Sequence, residues 1–353
     1  MRSGINKYFH FVGEPGENRK RKQNQTAFLL PQFNHLSTFI YSKASLLIKF
    51  HTRNENILNT RKTVILMLAS SLLQTATQIL PSSDGLYIVS TSFENLVRIY
   101  STVSGKLLHS INCSVIGFFS LGSCHAALPY HTLPSADSSP KSFGVRIVKL
   151  PSLFTEEVII GHTAHVTITA ISPSENTIVS GAEDATARVY SLNEKGRWEV
   201  VATLTGHNER VDAIAINDKF IATGAADFAI LIFDSKKDYQ FLHSVKVHES
   251  YVIGLSFNSL DGHLASCSTD NSINIWDPSR CMLKGAIENV QGSQHYVSAV
   301  THSPSGRTIA TGGTDGIVRI WKTRNLDLLD ELNCEKVVGD ILSLKASVGF
   351  CPL

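Results

Sequence analysis

An all-β chain folded as a propeller is what this sequence predicts, on three observations. Residues 161–321 repeat one Asp-centred pattern four times, with Asp184, Asp227, Asp270 and Asp315 standing 43, 43 and 45 residues apart. Four residues before each acid is a hydroxyl (Ser180, Thr223, Ser266, Thr311), and six after it an aromatic (Tyr190, Phe233, Trp276, Trp321). Each unit also holds four short apolar runs broken by turn residues. A period in the low forties with four strands per unit is the spacing of a propeller blade. A single blade leaves both faces of its sheet uncovered, so such units stack around an axis.

Composition supports a globular body and excludes some functions. Of 353 residues, 43% are apolar and 18% charged, which suffices for a continuous core. The formal net charge of +2 conceals an asymmetry. Residues 1–62 hold 11 Lys+Arg against 3 Asp+Glu, while the remaining 291 hold 21 against 27. The repeat body is thus mildly acidic, at −6, whereas a nucleic-acid-binding body carries a basic surplus. The six cysteines contain no C-x-x-C pair, and Cys113, Cys124, His125 and His131 match no common zinc spacing. No metal and no cofactor are expected. With no disulfide framework, a reducing intracellular compartment is expected, and the first residues lack the apolar core of a secretory signal. The uncharged segment 63–83 is diluted by Ser, Gln, Thr and Pro81, so strands are expected there rather than a membrane span.

In chain order, residues 1–62 read as a basic, largely disordered extension. Its run Arg19-Lys20-Arg21-Lys22 is of the kind a nuclear import receptor reads, or else a solvated charge cluster. This leaves nucleus or cytoplasm open, with a lean to the nucleus. The propeller is assigned to 63–353. Its first two units, 79–113 and 114–160, are weak: Glu94 lies 90 residues, or two periods, before Asp184, and 133–140 is a low-complexity insert. The clear units are 161–205, 206–247, 248–291 and 292–334. In the first of these, Val166-Thr-Ile-Thr-Ala-Ile, Thr177-Ile-Val-Ser-Gly-Ala and Ala187-Arg-Val-Tyr-Ser-Leu alternate as half-buried strands do. Ser172-Pro-Ser and the turn at Glu183-Asp184 punctuate them. Cys267 falls on such a strand as a small core residue. Residues 63–78 and 335–353 are expected to supply closing strands.

These residues resemble the WD40-repeat family, whose Gly-His … Ser-Pro-x-Gly … Asp … Trp-Asp pattern is matched strongly over 161–321 and partly back to about residue 79. The resemblance implies a WD40 β-propeller, seven-bladed with irregular or incomplete closure, since only 19 residues follow the sixth unit. It also implies a buried relay in each blade, running from the acid through a His and the hydroxyl to the Trp. The sets are His162, Ser180 and Asp184; His207, Thr223 and Asp227; His248, Ser266, Asp270 and Trp276; and Thr311, Asp315 and Trp321. Only the fifth blade has every member. The third and fourth have Tyr190 and Phe233 in place of Trp, and the sixth has Ser293 where His is expected, with His295 nearby. The fifth blade is accordingly expected to be the most stable.

A Ser/Thr, a His and an Asp also suggest a catalytic triad. Repetition opposes that reading, because a nucleophile is activated at one special position, not at three equivalent ones. No enzyme is expected, no catalytic residue is assigned, and no phosphate loop or nucleophile elbow is present. Function is placed instead on the rim of the channel. Residues before the first Val of each inner strand are His165, Arg210, Tyr251 and Tyr296, and Glu183 borders the same rim. Tyr and Arg dominate binding surfaces, so Arg210, Tyr251 and Tyr296 form the candidate patch. The expected role is a scaffold for protein or peptide partners, without a small-molecule substrate. The alternatives are an RNA-associated subunit of a nuclear or ribosome-biogenesis particle, using the basic tail, and a cullin-type ubiquitin-ligase receptor. The latter draws on Trp276-Asp-Pro-Ser-Arg280 and Trp321-Lys-Thr-Arg324, each an imperfect Trp-Asp-x-Arg box.

Overall fold

The structure is a computed structural model that describes residues 38–41, 47–48, 76–92, 96–113, 117–132, 142–288, 290, 295–333 and 344–347. Arg19–Lys22, residues 63–75, Glu94, the insert 133–140, Ser293, Cys334 and Cys351 lie outside the described residues. Among the described residues there is no helix.

Strands β1 (Thr38–Tyr41) and β2 (Leu47–Ile48) come first. The first blade is β3 (Ala76–Pro81), β4 (Tyr87–Ser92), β5 (Leu96–Ser101) and β6 (Leu107–Asn112). The second is β7 (Ser120–Leu121), β8 (His125–His131), β9 (Phe143–Lys149) and β10 (Phe154–His162). The third is β11 (Val166–Ile171), β12 (Thr177–Ala182), β13 (Ala187–Leu192) and β14 (Trp198–Leu204). The fourth is β15 (Val211–Ile216), β16 (Phe220–Ala225), β17 (Ile230–Asp234) and β18 (Gln240–Val245). The fifth is β19 (Val252–Phe257), β20 (Leu264–Ser268), β21 (Ile273–Asp277) and β22 (Met282–Ile287). The sixth is β23 (Val297–His302), β24 (Thr308–Gly313), β25 (Ile317–Lys322) and β26 (Leu328–Asn333), and β27 (Leu344–Ser347) follows.

Each blade is an antiparallel sheet in simple chain order, so short turns suffice. The inner strands β3, β7, β11, β15, β19 and β23 pack in sequence about a central channel. The expected seventh blade is corrected: among the described residues there are six four-stranded blades, not seven. A three-stranded sheet, β2-β1-β27, lies against β23 and β3. Its partners for β27 come from 38–48, within the segment assigned to the extension, with Thr38 opposite Ser347 and Tyr41 opposite Leu344. Residues 76–78, assigned to closing strands, instead begin β3, the inner strand of the first blade. The inner strand of the second blade, β7, is only two residues long. Its chain bonds across to the third blade instead, Phe118 N donating to Thr167 O at 2.8 Å and Phe118 O accepting from Thr169 N at 2.9 Å.

The core consists of layers between successive blades. Between the third and fourth, Val179, Val189 and Leu204 meet Val211, Ile221 and Phe233. The middle strands do not alternate as expected: β16 and β20 are buried at every position. The reason is that a blade has a neighbour on each side, so both faces of its central strands are covered. Small residues make this possible. A β-carbon at Gly181 would stand 2.7 Å from Cγ1 of Val211, and one at Gly224 would stand 2.5 Å from Cγ1 of Val252. Cys267 holds the equivalent place in the fifth blade, fully buried, with burial raising its thiol pKa.

Candidate functional site

The acid turns all lie at one end of the blades, here termed the top, and the relays sit just beneath. In the fifth blade, His248 Nδ1 meets Asp270 Oδ2 at 2.9 Å and Nε2 meets Ser266 Oγ at 2.8 Å. Trp276 Nε1 donates to Ser266 Oγ at 3.0 Å. A neutral imidazole satisfies every link: Nδ1–H donates to the carboxylate and Nε2 accepts the serine proton. The third blade is equally complete. His162 joins Asp184 at 2.9 Å and Ser180 at 2.7 Å, and the Tyr190 hydroxyl, 3.0 Å from Ser180 Oγ, takes the place of the indole. Burial pushes the Tyr190 phenol up to about 12. The fourth blade stops one link short: His207 reaches Asp227 at 3.1 Å and Thr223 at 2.9 Å, but Phe233 has no donor.

The sixth blade departs further. Trp321 Nε1 donates to Thr311 Oγ1 at 2.9 Å, but the partner of Asp315 is Arg319, with Nη1 to Oδ2 at 2.7 Å. His295 sits apart, against Thr314 Oγ1 at 3.4 Å. Arg319 lies opposite Thr311 on the adjacent strand, so a charge from within the sheet replaces the His from the preceding loop. Sequence reasoning missed it because it sought a substitute near Ser293.

Burial would raise the carboxyl pKa values, but the donors outweigh it. Asp184, receiving from His162, Thr186 and Thr163, is held well below the usual carboxylate range. Asp270, receiving from His248, Ser272 and Glu249, is held equally low, and Asp227 is lowered as well. Burial depresses His207 despite Asp227 beside it. Ser180, Thr223 and Ser266 are sealed from solvent, at 0%, 1% and 0% exposure. A sealed hydroxyl presents no nucleophile to a substrate, so these sets act as polar fastenings within the blades.

Above the relays, one backbone bond repeats. Glu183 N donates to His165 O at 2.9 Å, Ala226 N to Arg210 O at 3.0 Å, Thr269 N to Tyr251 O at 3.0 Å and Thr314 N to Tyr296 O at 3.1 Å. The four rim residues therefore occupy equivalent, rigidly held places. Their side chains differ in availability. Tyr251 is 46% exposed and Tyr296 37%, and the Arg210 side chain is 52% exposed while its Nε bonds Asp212 Oδ2 at 2.9 Å. Asp212 lines the central channel, where burial raises its pKa against the pull of Arg210. Glu183 is exposed, whereas His165 is half-buried and packs edge-on against Phe143, with centroids 4.6 Å apart. His165 is thus more a packing residue than an open one.

The rim has a further member. Each residue after an acid adopts positive φ: Ala185 at 62°, Phe228 at 70°, Asn271 at 65° and Gly316 at 67°. Gly and Asn tolerate that conformation and a bulky side chain does not. Phe228 is nevertheless 38% exposed, and its ring stands 5.8 Å from that of Tyr251. The sequence signal was a Phe directly after a turn acid, where the other clear blades carry Ala, Asn or Gly. Among the described residues, no group of three or more His, Cys, Asp or Glu is placed to hold a metal ion.

The geometry can be set beside known proteins. A family model described as "WD domain, G-beta repeat" matches residues 155–191, 198–234, 239–277 and 287–322. Pre-mRNA-processing factor 19 of Oryza sativa subsp. japonica is 27% identical over 176 residues, covering 48% of this chain and 32% of that protein. Small ribosomal subunit protein RACK1y of the same organism is 28% identical over 170 residues, covering 46% of this chain and 49% of that one. The chain thus spans about a third to a half of the length of these curated relatives. A solved structure of U3-55K shares the fold, with a TM-score of 0.62 at 20% identity over 76% of this chain and 84% of the other.

Proposed function

The chain belongs to the WD40-repeat family of β-propellers, and on that premise we propose that it is a non-catalytic scaffold that holds protein segments on its top rim. Family members generally serve as protein-interaction scaffolds. The observation that carries the finer reading is the open aromatic and cationic patch at Phe228, Tyr251, Arg210 and Tyr296, on positions pinned by equivalent backbone bonds. Aromatic and Arg side chains of this kind supply most of the energy at protein interfaces. Rigid presentation adds to it, because loops already fixed by stacked blades lose little entropy on binding.

The test compares affinity purifications of the chain and of a variant with Arg210, Tyr251 and Tyr296 all changed to Ala. Loss of a specific set of proteins supports the rim; recovery of the same proteins from both removes it. A second reading rests on the charge asymmetry: the surplus of 11 basic over 3 acidic residues in 1–62 suits RNA phosphates. Tail-driven RNA binding would fall steeply with salt and vanish on deleting residues 1–62, whereas rim binding survives both.

A further inference from the structure

The opposite end of the fifth and sixth blades carries a feature that the rim reading leaves unused. Between these blades lies a recess of about 770 Å³, with Lys284, Arg307, Lys322 and Arg324 around it. Against these four cations the lining holds one carboxylate, Asp261, and that is paired with His263 at 3.1 Å. Lys322 meets Asp327 at 3.6 Å, and Lys284, Arg307 and Arg324 have no acidic partner among the described residues. On a body whose net charge is −6, four exposed cations around one recess are a local inversion of sign.

A second observation at the same place is independent of charge. Thr323 lines the recess, and its Oγ1 is buried with no hydrogen-bond partner among the described residues. The first blade shows what that hydroxyl normally does. Thr102 N bonds Leu86 O at 3.0 Å just as Thr323 N bonds Arg307 O at 3.0 Å, so the two threonines are equivalent. Thr102 Oγ1 then donates to Gly85 O at 2.9 Å and to Leu86 O at 2.8 Å. In the sixth blade the counterpart of Gly85 O is Gly306 O, which accepts instead from Asn258 Nδ2 of the fifth blade at 3.1 Å. Gly306 O is thus engaged across the blades, and Thr323 Oγ1 remains a spare donor, shielded from solvent beside the cationic recess. A buried hydroxyl without a partner is costly, unless an acceptor arrives from outside.

We propose that this recess binds a phosphorylated side chain of a partner peptide, with Lys284, Arg307 and Arg324 meeting the phosphate and Thr323 Oγ1 donating to it. Phosphate offers three strong acceptor oxygens and nearly two negative charges in a small volume. Ile275 and Leu326, which also line the recess, suit an apolar residue beside the phosphate. A concave slot on an acidic body favours this ligand over extended polyanions or a membrane plane, because both would bring further negative charge against the surrounding surface.

The experiment titrates the full chain with a short phosphoserine peptide flanked by leucines and with its unphosphorylated counterpart. Only the phosphorylated peptide is expected to bind. The double variant Lys284→Ala, Arg324→Ala should bind about tenfold more weakly or worse, since it loses two charge-assisted bonds. The isosteric Thr323→Val should also weaken binding several-fold while leaving the melting temperature unchanged or higher, which a purely structural hydroxyl would not do. The third-blade control Lys195→Ala should bind normally. Equal binding of both peptides, an unaffected double or Thr323 variant, or an equal loss in the control would overturn the proposal. Capture by phosphatidylinositol-phosphate vesicles through these residues, without peptide binding, would overturn it too.

Discussion

Arg319 stands to Asp315 as histidine stands to the turn acid in each of the three preceding blades. Its Nη1 lies 2.7 Å from Asp315 Oδ2 while its Nε holds Glu331 at 2.8 Å. The Arg319 side chain is 11% exposed and that of Asp315 9%, so the pair is nearly out of water. Removing one member of a buried pair leaves the other charge uncompensated, which is worse than lacking both. Arg319→Ala should therefore lower unfolding free energy by about 3 kcal/mol. Arg319→Lys, which keeps the charge but not the two-pronged geometry, should recover part of it. Urea titrations of the three proteins check this, and an Arg319→Ala midpoint equal to that of the parent would show the pair to be inert.

The third and fourth blades differ by a single oxygen at equivalent places, and that difference can be exchanged. Tyr190→Phe removes the hydroxyl 3.0 Å from Ser180 Oγ and should cost about 1 kcal/mol. Phe233→Tyr should supply Thr223 with the donor it lacks and stabilise by a similar amount, about 1 kcal/mol. The two changes together should nearly cancel in thermal unfolding, because they sit in different blades and share no partner. A destabilised Phe233→Tyr would mean that the layer around Phe233 and Phe241, whose centroids are 5.8 Å apart, cannot admit the oxygen.

What the sequence revealed and what it hid follow from one cause. Asp184, Asp227, Asp270 and Asp315 are legible because the tight turn and the relay beneath it impose the same residue type at the same offset in every copy. Tyr251 and Tyr296 are legible by register alone, being adjacent to the first inner-strand Val. Arg319 was hidden because the relay position is defined in space, and a partner may be recruited from the adjacent strand instead of the preceding loop. Strands β1 and β2 were hidden because short pairings carry no period of their own and depend on a partner about 300 residues away, at β27. The full burial of β16 was hidden because alternation reports one covered face, and a blade between neighbours has two.

Stability should fall in two steps on acidification, the first from the buried histidines His302 and His207, whose pKa values burial lowers, and the second from the turn acids. His302 is 6% exposed; its Nε2 has no partner among the described residues. Burial lowers its pKa to about 4, against about 6.5 for an unfolded histidine. The unfolded chain therefore binds the proton first, so stability is full above about pH 6.5 and declines towards pH 4. Asp184, Asp227 and Asp270 have the other sign of group but the same direction. Their lowered pKa values give stability that is present above about pH 4 and is lost as pH falls further, through the folded values. His302→Leu should reduce the first step, leaving the share of His207, and Asp270→Asn should reduce the second. Melting curves across the range decide it, and a first step unchanged in His302→Leu would assign it elsewhere.

Phe228 offers a way to separate strain from binding at the rim. A non-glycine residue in the left-handed region costs roughly 1–2 kcal/mol, and such strain persists where the surroundings or the function demand it. Phe228→Gly should relieve most of that and stabilise by about 1 kcal/mol, less whatever the ring contributes against Tyr251. If the rim is the contact surface, the same change should weaken capture of partner proteins. Ala185→Gly is the matching control, since Ala185 has φ of 62° at the equivalent turn but presents only a methyl group. It should give a stability gain of similar size, about 1 kcal/mol, with partner capture intact. A Phe228→Gly protein that is more stable and still retains every partner would leave the strained ring without a binding role, and the rim would then rest on Arg210 and the tyrosines alone.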